Sequence, residues 1–424
     1  MSMLLDDWKE VTIEECCDIL DNQRTPVSSD ERAKRIGNIP YYGANGLQGW
    51  IDDYIFNEPL ILIAEDGGRF EEYATRPIAY QIYGKSWVNN HAHVLRAKKG
   101  YCQDMVFYTL EHKDIQSYIV GGTRSKLNQS ALKKVKINIP KSLHEQSKIA
   151  EVLGSVDKSI EKTEVLIAKQ EKIKTGLMQD LLTKGIDQNG NIRSEETHKF
   201  KDSPLGRIPV DWEVEIIEKS DIELIDGDRG KNYPKQHEFY DEGYCLFLSA
   251  KNVTNRGFVF DNTQFISEIK DKQLGSGKLK REDIVLTTRG TVGNFAYYSN
   301  KVHYNNIRIN SGMIILRYTG SQLLTEYLYE SLKNYIFRTE YRQLISGSAQ
   351  PQLPSRDLKK FHILIPPYEE QKTILNIIRK VNSEIEITNT ELDKMVKLKT
   401  ALMQDLLKGK KRVTSLLESE EVMT

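Results

Sequence analysis

The six residues LMQDLL at Leu177–Leu182 recur unchanged at Leu402–Leu407. Gln179 falls on Gln404, an offset of 225, and the match runs without a gap from Glu145–Leu182 onto Glu370–Leu407. Gln146/Gln371, Ile149/Ile374, Val156/Val381, Ile160/Ile385, Lys172/Lys397, Lys174/Lys399 and Thr175/Thr400 are identical pairs. Upstream, ALKKVKINIP (Ala131–Pro140) resembles DLKKFHILIP (Asp357–Pro366), and Gly121 and Leu127 match Gly347 and Leu353. So long a match is a tandem duplication, and its unit far exceeds a solenoid repeat. The 424-residue chain is thereby constrained to two similar halves.

Both copies have a helical period. In the first, Ile149, Val152, Val156, Ile160, Thr163, Ile167, Ile173, Leu177 and Leu181 mostly fall three or four apart. In the second the set is Ile374, Ile377, Val381, Ile385, Thr388, Leu392, Met395, Leu398, Leu402 and Leu406. A mean step of about 3.5 residues is that of a coiled-coil seam. Ser142 with Glu145 has capping-box spacing, and Gly185 and Gly409 are stop signals. The second copy starts from Pro366 and Pro367 without a Ser/Thr cap. Such a helix is about 57 Å long at about 1.5 Å per residue. One apolar stripe of that length needs a partner, and the other copy has the matching period. The alternative is two separate helices, each packed on its own domain.

Each helix follows a β-rich block, Trp8 to about Pro140 and Trp212 to about Pro366. PLILIAEDGG (Pro59–Gly68) and EDIVLTTRGTVG (Glu282–Gly293) are strands running into glycine turns, with Ile61 on Ile284 and Gly67 on Gly290. NNHAHVLRA (Asn89–Ala97) resembles INSGMIILRY (Ile309–Tyr318), pairing Leu95/Leu316 and Arg96/Arg317. Elsewhere the blocks diverge: YYGANGLQGW has no counterpart near GDRGKNYPKQ. Alike frames with unlike surfaces suit two readers of different targets. The expected class is α+β: globular domains at 1–141 and 212–366, long helices at 142–185 and 367–409, a polar linker or strap at 186–211, and a charged tail at 410–424.

Lysine plus arginine balances aspartate plus glutamate at 60 each, which argues against a wholly basic surface but allows local basic faces. No apolar run reaches the roughly 18 residues of a membrane span. MSMLLDDWKE is acidic where a signal peptide is basic and apolar. Cys16, Cys17, Cys102 and Cys245 lack zinc-site spacing. The expectation is a cytoplasmic chain without a metal or a disulfide framework.

The paired helices, each running from EQ-x-x-I to LMQDLL, together with SPLGRIPVDWEV (Ser203–Val214), YYGANGLQGWIDDYIF (Tyr41–Phe56) and GSAQPQL (Gly347–Leu353), carry a resemblance. Over nearly its whole length the chain resembles the specificity subunit of type I restriction–modification systems. GTRSKL (Gly122–Leu127) departs from the last of these patterns. The resemblance implies two target-recognition domains, each reading one half of a split, asymmetric site in double-stranded DNA. It implies an antiparallel pair of helices as spacer, on which two modification subunits dock. Those subunits would supply S-adenosylmethionine-dependent adenine methylation, and restriction subunits the motor and nuclease of host defence. ATP and magnesium would likewise sit on partners, leaving no cofactor and no catalytic residue here. The competing readings are a fused methyltransferase or nuclease of a related restriction class, a specificity protein of a related methyltransferase or restriction class, and a coiled-coil adaptor without a DNA role.

Four motifs invite other chemistry. IPPY (Ile365–Tyr368) lacks the Asn, Asp or Ser of an adenine-methyltransferase motif, and Ile365 cannot accept the amino proton of a flipped base; a strand turning into a helix explains the prolines. RGTVG (Arg289–Gly293) lacks the P-loop and dinucleotide contexts and reads as a turn. His91 and His93 share a strand face but show no third ligand, which favours packing or DNA contact over metal. Glu65 and Asp66 read as turn-forming acids. Since Arg and Lys hold phosphates, Arg reads guanine, and Asn or Gln reads adenine, the DNA-contact candidates are Arg24, Asn45, Gln48, Arg69, Lys85, Arg124 and Lys126 in the first domain. In the second they are Arg229, Lys231, Asn232, Lys235, Arg289, Arg308 and Arg342. Tyr41, Tyr42 and Tyr233 fit the DNA backbone or the core equally.

Overall fold

The runs LILIA (Leu60–Ala64) and IVLT (Ile284–Thr287) are buried throughout, as befits inner strands covered on both faces. In the computed structural model, which describes residues 6–121, 125–344 and 352–413, each is an inner strand of a four-stranded antiparallel sheet. The chain forms two units, Met1–Leu166 with Asn389–Thr424, and Ile167–Thr388.

In the first unit the sheet order is Cys17–Ile19, Ala92–Ala97, Leu60–Ala64, Ala79–Ile82. A second sheet holds Gly46–Ile51, Ile39–Gly43, Lys85–Val88 and Phe56–Asn57, with Ile39–Gly43 parallel to Lys85–Val88. Trp8–Thr12 pairs with Lys136–Pro140, so the domain closes where the long helix begins.

The second unit repeats this frame. Its sheet order is Ile222–Asp226, Met313–Tyr318, Ile284–Thr287, Phe295–Tyr297. Cys245–Leu248 lies parallel to Ile307–Ile309, and Glu213–Ile216 pairs with His362–Ile365. Register repeats as well: Ile61 faces Leu95 and Ile284 faces Leu316. The fold is α+β with an internal repeat.

The long helices run Leu143–Thr183 and Tyr368–Leu406. In the first unit Glu145 meets Arg412, Asp157 meets Lys399 and Thr163 meets Met395, so the two segments run antiparallel. Ile149, Leu153 and Leu406 are buried there, with Val152 and Leu402 packed beside them. In the second unit Met178, Leu181 and Leu182 share a core with Ile374, Leu375 and Ile378, flanked by Leu177 and Ile377. Ile385 is buried, while Val156, Ile160, Ile167, Val381 and Leu392 are half-buried.

The periodicity puts Ile173 and Leu398 on the pairing face, but they are 55% and 51% exposed. The half-buried positions one residue on hold Lys174 and Lys399. Lys399 Nζ sits 2.9 Å from both Glu111 and Asp157, its apolar stem covering the seam while its head meets carboxylates.

Gly185 and Gly409 terminate the helices at φ +64° and +65°, the left-handed region favouring glycine. The polar segment that follows the first helix is anchored by buried Ile186, Leu205 and Ile208 in the core of the second unit. Beyond Gly409, Val413 is buried in the core of the first unit; the tail after 413 lies outside the described residues. No helix among the described residues is long and apolar enough to cross a membrane.

Candidate nucleic-acid interface

In the first unit, strand Leu60–Ala64 ends in the turn around Gly67, whose φ of +64° suits glycine. Glu65 N donates to His91 O at 2.8 Å, Leu127 N donates to Glu65 O at 2.8 Å, and Gly67 N donates to Ser125 O at 3.1 Å. Asp66 thereby stands opposite Lys126 in an antiparallel bridge. The second unit repeats the arrangement. Thr288 N donates to Gly312 O at 2.8 Å, Leu353 N donates to Thr288 O at 3.1 Å, and Arg289 stands opposite Gln352. Leu127 and Leu353 pin the two crossings from below as buried side chains. Asn89 Oδ1 accepts from His91 N, and Asn310 Oδ1 from Gly312 N, each at 2.9 Å. One backbone frame thus presents Asp66, Lys126 and His91 in one unit and Arg289, Gln352 and Gly312 in the other.

The side chains differ in engagement. Asp66 oxygens lie 3.0 and 3.1 Å from His91 Nδ1, and Lys126 Nζ lies 3.6 Å from Glu65. Asn45 donates to Gly67 O at 3.1 Å, and Gln48 accepts from Asn89 at 3.2 Å. Exposed Arg69 lies 3.5 Å from Glu72, and Lys85 sits over the Tyr54 ring at 4.8 Å. A cavity of about 280 Å³, lined in part by Tyr42, Asn45, Arg69, Phe70 and Tyr80, brings Asn45 and Arg69 together.

In the second unit Arg289 and Gln352 are exposed, and among the described residues neither side chain has a hydrogen-bond or ion-pair partner. They line a cleft of about 120 Å³ with Arg229, which reaches Asp226 at 3.4 Å and Ser311 O at 3.2 Å. Lys231, Asn232 and Lys235 do not line it; Asn232 donates instead to Gln273 O at 3.0 Å.

Two of the expected DNA contacts, Arg24 and Arg308, are engaged within the protein. Arg24 donates to Glu65 Oε2 at 2.9 Å, Ala92 O at 2.7 Å and Asp21 O at 3.0 Å. Arg308, 6% exposed, donates to Asp271 Oδ1 at 2.5 Å, Ser276 O at 2.7 Å, Asp271 O at 2.7 Å and Leu274 O at 3.1 Å. Guanidinium groups committed in this way hold loops together. Arg124 and the side chain of Arg342 lie outside the described residues, as do residues 347–351 of the GSAQPQL segment.

His93 does gather carboxylates that sequence spacing hides: its ligand atom, Asp21's and Glu65's lie within 4.8 Å of one another. Each is already engaged. His93 Nδ1 is 2.6 Å from Asp21 and Nε2 is 2.7 Å from Leu127 O, while Arg24 neutralises Glu65. Burial pushes the Asp21 carboxyl up, but hydrogen bonds from His93, Gln129 and Val94 outweigh it and hold it below its ordinary value. This net ties strand Ala92–Ala97 to the turn and to Leu127. Tyr41 is buried, its hydroxyl donating to Val27 O at 3.1 Å; Tyr42 and Tyr233 pack on Tyr80 and Phe247. The IPPY prolines lie where strand His362–Ile365 turns into helix Tyr368–Leu406.

Gln352 escaped the sequence reading, although aligning Leu127 with Leu353 sets it against Lys126.

The family described as type I restriction modification DNA specificity domain matches residues 5–171 and again 209–397. The MjaVIII type I restriction enzyme specificity subunit of Methanocaldococcus jannaschii is 27% identical, over 97% of this chain and 94% of its own length. The crystal structure of a type I restriction–modification S subunit from M. genitalium superposes with TM-score 0.59 at 16% identity, covering 96% of this chain and 97% of that one. A structure solved for complex assembly and conformational transition of a type I system gives TM-score 0.54 at 14% identity, covering 97% and 100%.

Proposed function

The chain belongs to the type I restriction–modification DNA specificity family, and on that premise we propose that it is the sequence-reading subunit of a type I complex, each globular domain recognising one half of a bipartite, asymmetric site in double-stranded DNA. The observation that carries this reading is the pair of tips, Asp66–Lys126 and Arg289–Gln352, built on one backbone frame with different chemistry. Duplication within one chain offers two equivalent docking surfaces to two identical modification subunits, while divergent tips free the half-sites from palindromy. The long helices then set the unread spacer. Methyl transfer and its S-adenosylmethionine belong to the modification subunits. ATP, magnesium, translocation and cleavage belong to the restriction subunits, and this chain contributes recognition in the cytoplasm.

The test is methylome sequencing of cells carrying this chain with its modification subunits. The expected result is one two-part motif with unlike halves and no methyl transfer by the isolated chain. A continuous or palindromic motif, or methylation by the chain alone, overturns the reading.

A further inference from the structure

We propose that the two bridged tips are the base-reading elements, Arg289 and Gln352 selecting a guanine and a neighbouring adenine in one half-site, and Asp66 selecting a cytosine in the other. This assignment rests on the specificity reading above. Directly opposed residues of an antiparallel pair put their Cβ atoms about 5 Å apart on one face, close to the roughly 3.4 Å rise between stacked base pairs. Arg289 and Gln352 therefore project side by side, near enough for their long side chains to reach adjacent pairs. A guanidinium fork fits guanine O6 and N7, and a carboxamide fits adenine N6 and N7. Both side chains are exposed, and among the described residues no partner competes for them. Arg229 shares the cleft but is already held by Asp226 and Ser311, which suits a phosphate contact.

The first tip has the opposite polarity. Asp66 is an acceptor, steadied by His91 at 3.0 Å, and the base edge that offers it a major-groove amino donor without a competing acceptor is cytosine N4. Lys126, directly across the bridge, supplies the cation that lets a carboxylate approach DNA and can reach guanine O6 of the same pair. The turn and its pinning leucine are common to both tips, so a substitution at these positions changes the surface and leaves the frame intact.

The full chain, assembled with its modification subunits, is assayed for methylation across a randomised duplex library. Arg289→Ala relaxes one G·C requirement in one half-site by roughly 10- to 100-fold, and Gln352→Ala relaxes the adjacent A·T. Asp66→Asn relaxes a C·G requirement in the other half-site only. An unchanged motif, or changes in both halves from one substitution, overturns the assignment. So does uniform weakening on all sequences, which marks a phosphate contact instead. A wild-type complex without any two-part motif removes the specificity reading itself, and the assignment with it.

Discussion

Glu370 grips Arg193 through two parallel contacts, Oε1 to Nη1 at 2.8 Å and Oε2 to Nη2 at 3.1 Å. Glu145 also grips Arg412 through two contacts, Oε1 to Nε at 2.7 Å and Oε2 to Nη2 at 3.0 Å. In each unit the glutamate of an EQ pair in the first turn of one long helix holds an arginine that follows the end of the other. The adjacent glutamine fastens the helix to its domain. Gln146 accepts from Cys102 N at 2.9 Å and donates to Pro140 O at 2.9 Å; Gln371 accepts from Leu324 N at 2.7 Å and donates to Pro366 O at 2.8 Å. The repeated EQ is thus a joint between helix, helix and domain.

Removing one partner from such a joint leaves a buried charge. Arg193→Ala strands Glu370, whose side chain is 7% exposed, and destabilises the second unit by about 3 kcal/mol. Trp212 Nε1 and Ile186 N still donate to that carboxylate, but neither brings a positive charge. Arg412→Ala likewise strands Glu145, whose side chain is 4% exposed, and destabilises the first unit by a similar amount, about 3 kcal/mol. Urea unfolding with hydrogen exchange at the helix ends measures both; a loss below about 1 kcal/mol in either variant would contradict the joint.

The helix seam makes a second contrast. Ile173→Lys and Leu398→Lys change stability by no more than about 0.5 kcal/mol, as surface substitutions do. Leu181→Ala and Ile385→Ala, at buried positions, cost about 2–4 kcal/mol. Thermal and chemical unfolding of the four variants ranks them, and a costly Ile173→Lys would restore the seam that periodicity alone suggests.

Asp271 makes the second unit acid-sensitive. Burial pushes its carboxyl up, but hydrogen bonds from Lys278 and Arg308 outweigh this and hold it below its ordinary value. A folded-state value below the unfolded one contributes stability that is fully present above about pH 4, and is lost as pH falls through the folded value. Asp271→Asn removes the contribution and strands Arg308 without its carboxylate. The variant is less stable at neutral pH, and its stability depends less on pH between about 5 and 2. Urea midpoints across that range would refute the sign if wild type and variant changed in parallel.

The duplicated frame was legible because inner strands and long helices write their burial into local period: Ile61/Ile284 and Leu95/Leu316 align in sequence and again in register. The exceptions share a cause. Arg24 looks like any loop arginine until Glu65, 41 residues away, closes on it, and Arg308 finds Asp271 at a separation of 37. Ile173 and Leu398 fit the apolar period, yet in the first unit Lys399 takes the inner position because Glu111 and Asp157 await it there. Gln352 became a candidate only through its bridge to Arg289. Pairings across long sequence separations decide which charged groups remain free for DNA, and no local pattern encodes them.

Helix length gives the last prediction. If the long helices set the unread spacer, four residues inserted within Glu161–Lys174, with the equivalent stretch of the other helix left alone, add about 6 Å. Four residues are also close to one turn, so the seam beyond the insertion rotates by only about 40° and still faces its partner. At roughly 3.4 Å per base pair, the spacer lengthens by one or two base pairs while both half-site sequences stay the same. Methylation-site sequencing reads half-sites and spacer in one experiment. An unchanged spacer would show that the helices do not set the separation, whereas an altered half-site would show that the insertion had disturbed a recognition domain.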